Sequence, residues 1–221
     1  LALLGKTILL IDLDPQGNAT TGVGFNKGDF EKSIYDIFNG SEKLENVILK
    51  TKFKNLDLIP SSLQLAGIDI ELIEKGREDP SFQKSGQLLQ HIASVKEYYD
   101  YIIIDCPPTL ALVTTNALVA SDSVIIPVQC EFYALEGMTQ LLNSIMLTKK
   151  KLNPDLKLEG VLLTMFDSRA NLSIEVIEEI RSYFKDRVYD TIIPRLIRLA
   201  EAPSHGKPIV SYDPKSKGSE A

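Results

Sequence analysis

The sequence has few of the residues that build disulfide frameworks or zinc sites. Of its 221 residues, only two are cysteine and two are histidine. The histidines, His91 and His205, have no partner at the spacing of a metal-ligand pair, so a Cys/His metal site is excluded. With so few cysteines, Cys106 and Cys130 indicate a reducing, cytoplasmic setting rather than a disulfide framework.

Long hydrophobic runs are also missing. No apolar stretch approaches the roughly 18 residues of a membrane-spanning helix, and no membrane partner is expected. A hydrophobic content of 44% is typical of a globular protein. The net charge of −6 argues against a wholly basic nucleic-acid binder, although it leaves local basic patches open.

Apolar runs that predict strands alternate along the chain with segments that predict helices. This alternation predicts an α/β fold whose parallel strands are joined by right-handed crossovers. We therefore expect a doubly wound, mostly parallel sheet that forms a single domain over residues 1–221. Within it, residues 14–24 are expected to form a polar loop and residues 81–96 a helix.

Two segments, ILLIDLDPQGNATT and YIIIDCPP, carry the strongest functional signal. In each, a run of aliphatic residues ends in aspartate, as in a strand that is buried on both faces. Open α/β sheets bind ligands in the crevice at the carboxyl ends of their strands. Asp14, with Asp12, and Asp105 therefore indicate a site for a hydrated cation and a phosphorylated ligand.

The Asp12-Leu13-Asp14 triplet has more than one interpretation. One aspartate can cap the following turn while the other faces solvent. Aspartyl phosphatases of the haloacid dehalogenase type also place such a triplet after an apolar strand and use the first aspartate as nucleophile. They follow it with a hydroxyl residue and glycine, where this chain has Pro15 and Gln16.

A third interpretation accounts for the whole segment. DPQGNATTGVG resembles the switch region of the ParA/Soj partition ATPases, within the wider MinD group of deviant Walker proteins. YIIIDCPPTL, VIIPVQCEFYALEGM, LLTMFDSRANLS and IPRLIRLAEAPSHGKPIVSYDPKSKG resemble later segments of the same family, in the same order. The resemblance covers essentially the whole chain. It implies a fold of the P-loop NTPase type and a protein that uses ATP and Mg²⁺.

The family carries a glycine-rich loop of the form KGGVGKTTT, whose backbone N–H groups and lysines hold the phosphates. The printed sequence contains no such loop. We therefore expect the chain to be a fragment that lacks the first strand and the phosphate-binding loop and whose last helix is truncated. Such a fragment is expected to bind and hydrolyse little ATP.

The resemblance assigns roles to residues at the predicted nucleotide site. Asp14 would be catalytic and orient the attacking water, while Asp105 would hold Mg²⁺ through a water molecule. Asp12 would support the positions of these two residues without contacting the ligand itself. Thr164, Pro194 and Arg195 would contact the adenine base. The family usually has Asn at the next position, where this chain has Leu196.

The resemblance also implies partners. Partition ATPases of this type bind DNA without sequence preference as ATP-bound homodimers, and a ParB-type protein stimulates hydrolysis and releases them. Arg169 and Arg198 match the DNA-binding positions, and Lys207, Lys215 and Lys217 add positive charge nearby in sequence. The protein would then be cytoplasmic and associated with the nucleoid.

Two alternatives remain open at this point. One is a MinD-like ATPase that acts on the membrane during division-site placement. The other is a DNA-binding scaffold protein without catalytic activity. ATP turnover would distinguish such a scaffold from a partition ATPase and from a MinD-like ATPase.

Overall fold

A computed structural model describes residues 1–26, 28–131 and 134–221, and the side chains of residues 134–136 are left out of the description. The described residues form two compact units, Leu1–Ala120 with Pro203–Lys207, and Ser121–Ala202 with Pro208–Ala221. That both belong to one ATPase domain over residues 1–221 stays a prediction.

Unit 1 is a four-stranded sheet with helices. Its strands lie in the order β2-β3-β1-β4; β1 pairs in parallel with both β3 and β4, while β2 pairs antiparallel to β3. The elements are β1 (Ile8–Asp12), α1 (Asn18–Gly22), α2 (Ile34–Phe38), β2 (Leu49–Lys50), β3 (Leu56–Ile59), α3 (Ile68–Glu78), α4 (Gln87–Ile92), β4 (Tyr101–Asp105) and α5 (Leu112–Ala120).

Unit 2 contains a three-stranded parallel sheet in the order β5-β6-β7. Two of its predicted motif residues, Phe132 and Tyr133, lie outside the described residues. The elements are β5 (Ser123–Gln129), α6 (Ala134–Lys151), β6 (Lys157–Phe166), α7 (Asn171–Phe184), β7 (Val188–Pro194), α8 (Ile197–Glu201), α9 (Ile209–Tyr212) and α10 (Lys217–Glu220).

The core of unit 1 explains why β1 is so apolar. Leu9 and Ile11 are fully buried in a cluster with side chains from α2, α3 and α4, and Ile8 on the opposite face is buried as well. β1 is therefore buried on both faces, as its sequence predicts. The same prediction for β4 is wrong for the part of the chain that the structure describes, where β4 pairs only with β1 and where Tyr101 and Ile103 on one face are exposed.

Two further local predictions are corrected. Residues 14–24 are not simply a loop, because α1 forms at Asn18–Gly22. The amide and hydroxyl of Thr20 donate hydrogen bonds to buried Asp12, which stabilises α1 despite its weak helix formers. Residues 81–96 contain only the short α4. There the Asp79 carboxylate accepts hydrogen bonds from the amide and hydroxyl of Ser81, which favours a turn instead of a helix start.

A close backbone contact joins the EAPSHGKP motif to the segment after α1. Gly206 and Gly24 both have positive φ, 59° and 97° respectively. A Cβ on Gly206 would lie 2.8 Å from the Gly24 Cα, and a Cβ on Gly24 would lie 3.0 Å from the Gly206 carbonyl oxygen. Only glycine permits both the conformation and the approach.

We predict that Gly206→Ala lowers the free energy of unfolding by about 3 kcal/mol, combining left-handed backbone strain with a steric clash. The matched control is Gly40→Ala, since Gly40 has φ 81° but open space around its Cβ position. That control should cost only about 1 kcal/mol. Chemical denaturation measures both, and equal losses would contradict the close contact.

Candidate functional site

The carboxyl ends of β1 and β4 bring two predicted site aspartates side by side. In the register of this parallel pair, Asp12 lies opposite Asp105. The Leu13 amide donates to the Asp105 carbonyl oxygen at 2.8 Å, which extends the pairing one residue beyond β1. Because the strands are parallel, both carboxylates and the following Asp14 lie at the same edge of the sheet.

Asp12 is fully buried, and hydrogen bonds engage both its carboxylate oxygens. Its Oδ1 accepts the Asp14 amide at 3.1 Å, and its Oδ2 accepts both the amide and the hydroxyl of Thr20 at 2.7 Å each. Burial raises the pKa of Asp12, and the bonds from Thr20 and Asp14 partly offset that rise. Asp12 is therefore a structural carboxylate that organises the loop after β1.

Asp14 lies in that loop and is only half-buried. Its Oδ1 accepts the Gln16 amide at 2.9 Å, and its carbonyl oxygen accepts the Gly17 amide at 2.9 Å. Gly17 takes a left-handed conformation with φ 68°, which lets the chain turn into α1. Among the described residues, no donor meets the other carboxylate oxygen of Asp14, so that oxygen can accept a hydrogen bond from water.

Asp105 is the third carboxylate at this edge. Loss of hydration, and then repulsion from Asp12 and Asp14, raise its pKa from 3.8 to about 6. Because Asp105 is exposed to solvent, loss of hydration explains its raised pKa less well than repulsion from the two neighbouring carboxylates does. A cation placed here would relieve that repulsion.

The residues at this edge fit Mg²⁺. Across the described residues, no three His, Cys, Asp or Glu side chains are grouped as a complete metal site. Mg²⁺ does not need such a group, because it usually binds one or two carboxylates together with water and substrate phosphates. With both oxygens of Asp12 already hydrogen-bonded, Asp105 is the carboxylate suited to this role.

In unit 2, the structure brings the three predicted base-contact residues to one end of the sheet. Thr164 is near the end of β6, and the Arg195 amide donates to the Phe166 carbonyl oxygen at 2.8 Å just after β7. The Thr164 hydroxyl donates to the Val128 carbonyl oxygen at 3.2 Å, so it keeps only its acceptor capacity for a ligand. Pro194 is the last residue of β7 and is half-buried.

Sequence reasoning missed a strained residue beside Thr164. Met165 has φ 56°, which is unusual for a residue that is not glycine. It lies within β6, where the pairing with β7 is irregular. Residues held in such conformations are concentrated at functional sites. No pattern in the sequence signals it.

Arg169 is exposed but already paired. Its Nε and Nη2 donate to the two carboxylate oxygens of Asp167 at 2.9 and 2.7 Å. The Arg169 side chain holds the pKa of Asp167 well below its usual range. The arginine therefore presents a partly neutralised charge to solvent.

Arg198 has a similar environment, on α8. It lies 3.3 Å from the Glu201 carboxylate, 3.6 Å from that of Asp213, and over the ring of Tyr212. The hydrogen bond with the Tyr212 hydroxyl, and then the charge of Glu201, raise the pKa of Arg198. Both predicted DNA contacts are thus exposed arginines that are held by neighbouring acidic groups.

Thr20 is the principal site residue that sequence reasoning did not identify. It is buried, it donates to Asp12, and its hydroxyl accepts the Ser61 amide at 3.1 Å. Its only signal in the sequence is its place within DPQGNATT, where two threonines adjoin.

Comparisons with known proteins identify the chain's relatives. A family model described as "AAA domain" matches residues 1–158. The chain is 56% identical over 220 residues to the sporulation initiation inhibitor protein Soj of Bacillus subtilis, covering 100% of this chain and 85% of that protein. It is 47% identical over 221 residues to the chromosome partitioning protein ParA of Myxococcus xanthus, covering 100% of this chain and 76% of that protein.

A solved structure has the same fold. The crystal structure of cobyrinic acid a,c-diamide synthase from Mycobacterium smegmatis, with bound ATP analog and magnesium, matches with a TM-score of 0.84 and 31% sequence identity. The match covers 99% of this chain and 80% of that chain. The parallel strands and their carboxylate-bearing ends therefore define an α/β fold of the P-loop NTPase type. The chain belongs to the Soj/ParA family of chromosome-partitioning ATPases.

Of the helices in the described part of the chain, none is both long and apolar enough to cross a bilayer.

The raised pKa of Asp105 predicts a stability that depends on pH. The folded state favours the neutral carboxyl, so ionisation costs stability as the pH rises from about 4 to about 6. Asp105→Asn should therefore raise the free energy of unfolding by about 1 kcal/mol at pH 8, after allowance for solvent screening, and change it little at pH 4.

Denaturation at the two pH values tests this, with Asp79→Asn as the control. Ser81 lowers the pKa of Asp79, so that variant should lose stability at pH 8 instead of gaining it. A gain for Asp105→Asn that is equal at both pH values would contradict the proposed repulsion.

Proposed function

We propose that the chain is the ATPase segment of a protein that segregates chromosomes or plasmids. ATP-dependent homodimerisation and DNA binding without sequence preference would hold it on the nucleoid in the cytoplasm. A ParB-type partner would stimulate hydrolysis and release it. The observation that carries the proposal is the cluster of Asp12, Asp14 and Asp105 at the carboxyl ends of β1 and β4, within DPQGN and DCPP motifs.

In this proposal Asp14 is the catalytic residue. Phosphoryl transfer depends mostly on positioning and on charge stabilisation, so a carboxylate that orients the attacking water is sufficient. Support comes from its geometry: one oxygen is held by the Gln16 amide, and the other has no donor among the described residues. The carboxylate is thus fixed in place and still able to accept.

Asp105 would hold Mg²⁺ through a water molecule. When bound, that ion would neutralise charge on the substrate phosphates. The three carboxylates repel one another and would repel a triphosphate, so a cation at Asp105 serves both purposes. We also propose that this chain by itself turns over little ATP, because the printed sequence has no KGGVGKTTT loop to hold the phosphates.

Thr164, Pro194 and Arg195 would form the adenine contact. The acceptor capacity of Thr164 suits the exocyclic amine of adenine. Pro194 and the guanidinium of Arg195 would pack on the face of the base. Arg195 is held 3.4 Å from the Glu131 carboxylate, which limits how far it moves. Leu196 has no amide group for the base, unlike the Asn usual in the family.

Arg169 and Arg198 would contact DNA phosphates. Arg169 lies in the turn between β6 and α7, Arg198 lies at the start of α8, and both are exposed, which suits contact with a nucleic-acid backbone and not with bases. Contact with DNA requires each arginine to give up part of its pairing with the acidic neighbours. A phosphate must compete with Asp167 for the guanidinium of Arg169, so binding is expected to be weak per site and sensitive to salt.

ATP hydrolysis tests the role of Asp14, measured on the protein of which this chain is the proposed ATPase segment. Asp14→Ala should reduce kcat by at least about 100-fold and change ATP affinity less than about threefold, because Asp14 acts on the water and contacts the bound nucleotide little. Steady-state turnover and calorimetric ATP titration measure the two quantities.

Asp79→Ala is the control for this experiment, since it removes an exposed carboxylate from a loop of the same unit. Its turnover should match the wild type. Loss of ATP binding as severe as the loss of turnover would show that Asp14 has a structural role instead.

Salt-dependent DNA binding tests the arginines. In the full-length ATP-bound protein, Arg169→Glu or Arg198→Glu should weaken binding to every duplex sequence alike. Each lost phosphate contact lowers the log–log salt slope by about 0.9. Gel-shift titrations at several salt concentrations give both affinity and slope, and ATP turnover without DNA should stay near the wild-type value.

Two further variants sharpen this experiment. Asp167→Asn removes the carboxylate that pairs with Arg169 and should strengthen DNA binding. Arg181→Glu, on α7, makes the same charge change at another exposed position and should leave the salt slope nearly unchanged. Full affinity and an unchanged slope for Arg198→Glu would refute the DNA surface at α8.

A further inference from the structure

Thr20 lies at the centre of a buried hydrogen-bond chain behind the catalytic loop. Only 3% of its surface is exposed, although it belongs to the short helix α1. The Ser61 amide, just past the end of β3, donates to its hydroxyl at 3.1 Å. That hydroxyl in turn donates to Asp12 Oδ2 at 2.7 Å, as does the Thr20 amide at 2.7 Å.

The direction of each bond in this chain is fixed by its partners. An amide N–H only donates, and an ionised carboxylate only accepts. The group between the Ser61 amide and Asp12 must therefore accept with one face and donate with the other. A hydroxyl does both, whereas a valine of the same shape does neither.

This chain of hydrogen bonds ends at Asp14, the proposed catalytic residue. The second oxygen of Asp12 accepts the Asp14 amide at 3.1 Å. A carboxylate is planar, so fixing Oδ2 through Thr20 also fixes the direction of Oδ1, and with it the backbone of Asp14. The same carboxylate thus holds both ends of the segment from Asp14 to Thr20.

We propose that Thr20 is a positioning residue for ATP hydrolysis, which acts through Asp12 to set the orientation of Asp14. The proposal rests on the proposed function, in which Asp14 orients the attacking water. Thr20 itself is buried, and its hydroxyl is engaged by Asp12 and by the Ser61 amide. Its hydroxyl ties the catalytic loop to the end of β3, so the loop keeps one geometry while nucleotide binds and leaves.

The test compares Thr20→Val with Thr20→Ser in the full-length protein. Thr20→Val should lower kcat by about 10- to 100-fold with KM for ATP within about twofold of the wild type, because misplacement by about 1 Å carries such a penalty. Thr20→Ser keeps the hydroxyl and should restore kcat to within about threefold of the wild type. A purely structural role would not produce this separation of kcat from KM or this rescue.

Thr21→Val is the matched control. Thr21 is the next residue of α1, but its hydroxyl donates to the Gly17 carbonyl oxygen and not to Asp12. Its kcat should equal that of the wild type. Equal losses in the valine variants of Thr20 and Thr21, or unchanged kcat in Thr20→Val, would overturn the proposal.

A second measurement does not depend on whether Thr20→Val folds. In the wild-type chain, the amide protons of Asp14 and Thr20 should exchange with solvent through the same opening, since Asp12 holds both. In Thr20→Ser they should still exchange together. A fast Asp14 amide beside a protected Thr20 amide would overturn the proposal. If Asp14→Ala keeps full turnover while the two amides exchange together, the failure belongs to the proposed function and not to the bond chain.

Discussion

The structure of unit 1 depends on one buried charge. Asp12 ends the most apolar strand of the unit, where a carboxylate without partners would be strongly unfavourable. It is retained because donors from the next loop and from α1 satisfy both of its oxygens. These donors belong to residues that have low helix propensity and little apolar surface, so local preference and hydrophobic burial contribute little to their conformation. The burial of the charge thus gives a polar, glycine-rich segment a defined conformation.

Acidic groups dominate both candidate surfaces, but with opposite effects. At the ends of β1 and β4 they are crowded together and repel one another, which raises the pKa of Asp105 and favours a cation. Around Arg169 and Arg198 they pair with the arginines and reduce the charge available to DNA. In the proposed function, a chain with a net charge of −6 would hold a cation firmly and a polyanion only loosely. Such weak, salt-sensitive binding would suit the release from DNA that the proposed function requires.

The sequence was sufficient for the fold class, and it predicted which aspartates would share one edge of the sheet. Apolar runs ending in aspartate predicted parallel strands with Asp12, Asp14 and Asp105 at one edge, because strand direction fixes where such residues meet. Helix α1 was missed, since its stability comes from Asp12 across the loop and not from local propensity. The exposed face of β4 was missed as well, because a run such as YIIID is compatible with a central or an edge strand. The pairing of Arg198 with Asp213 was not predicted either, because the two residues are distant in sequence and meet only in the fold.

The contact between Gly24 and Gly206 has a consequence for the order in which the chain is made. A nascent chain leaves the ribosome from its N-terminus, and N-terminal domains commonly fold first. Unit 1 cannot complete its packing in that way, because residues Pro203–Lys207 belong to it and are translated after the strands of unit 2. Such a non-local contact adds loop-closure entropy and slows folding. The segment that carries Asp14 therefore acquires its full set of neighbours only after Pro203–Lys207 has been translated, so a chain that terminates before those residues lacks the contact that Gly206 makes with Gly24.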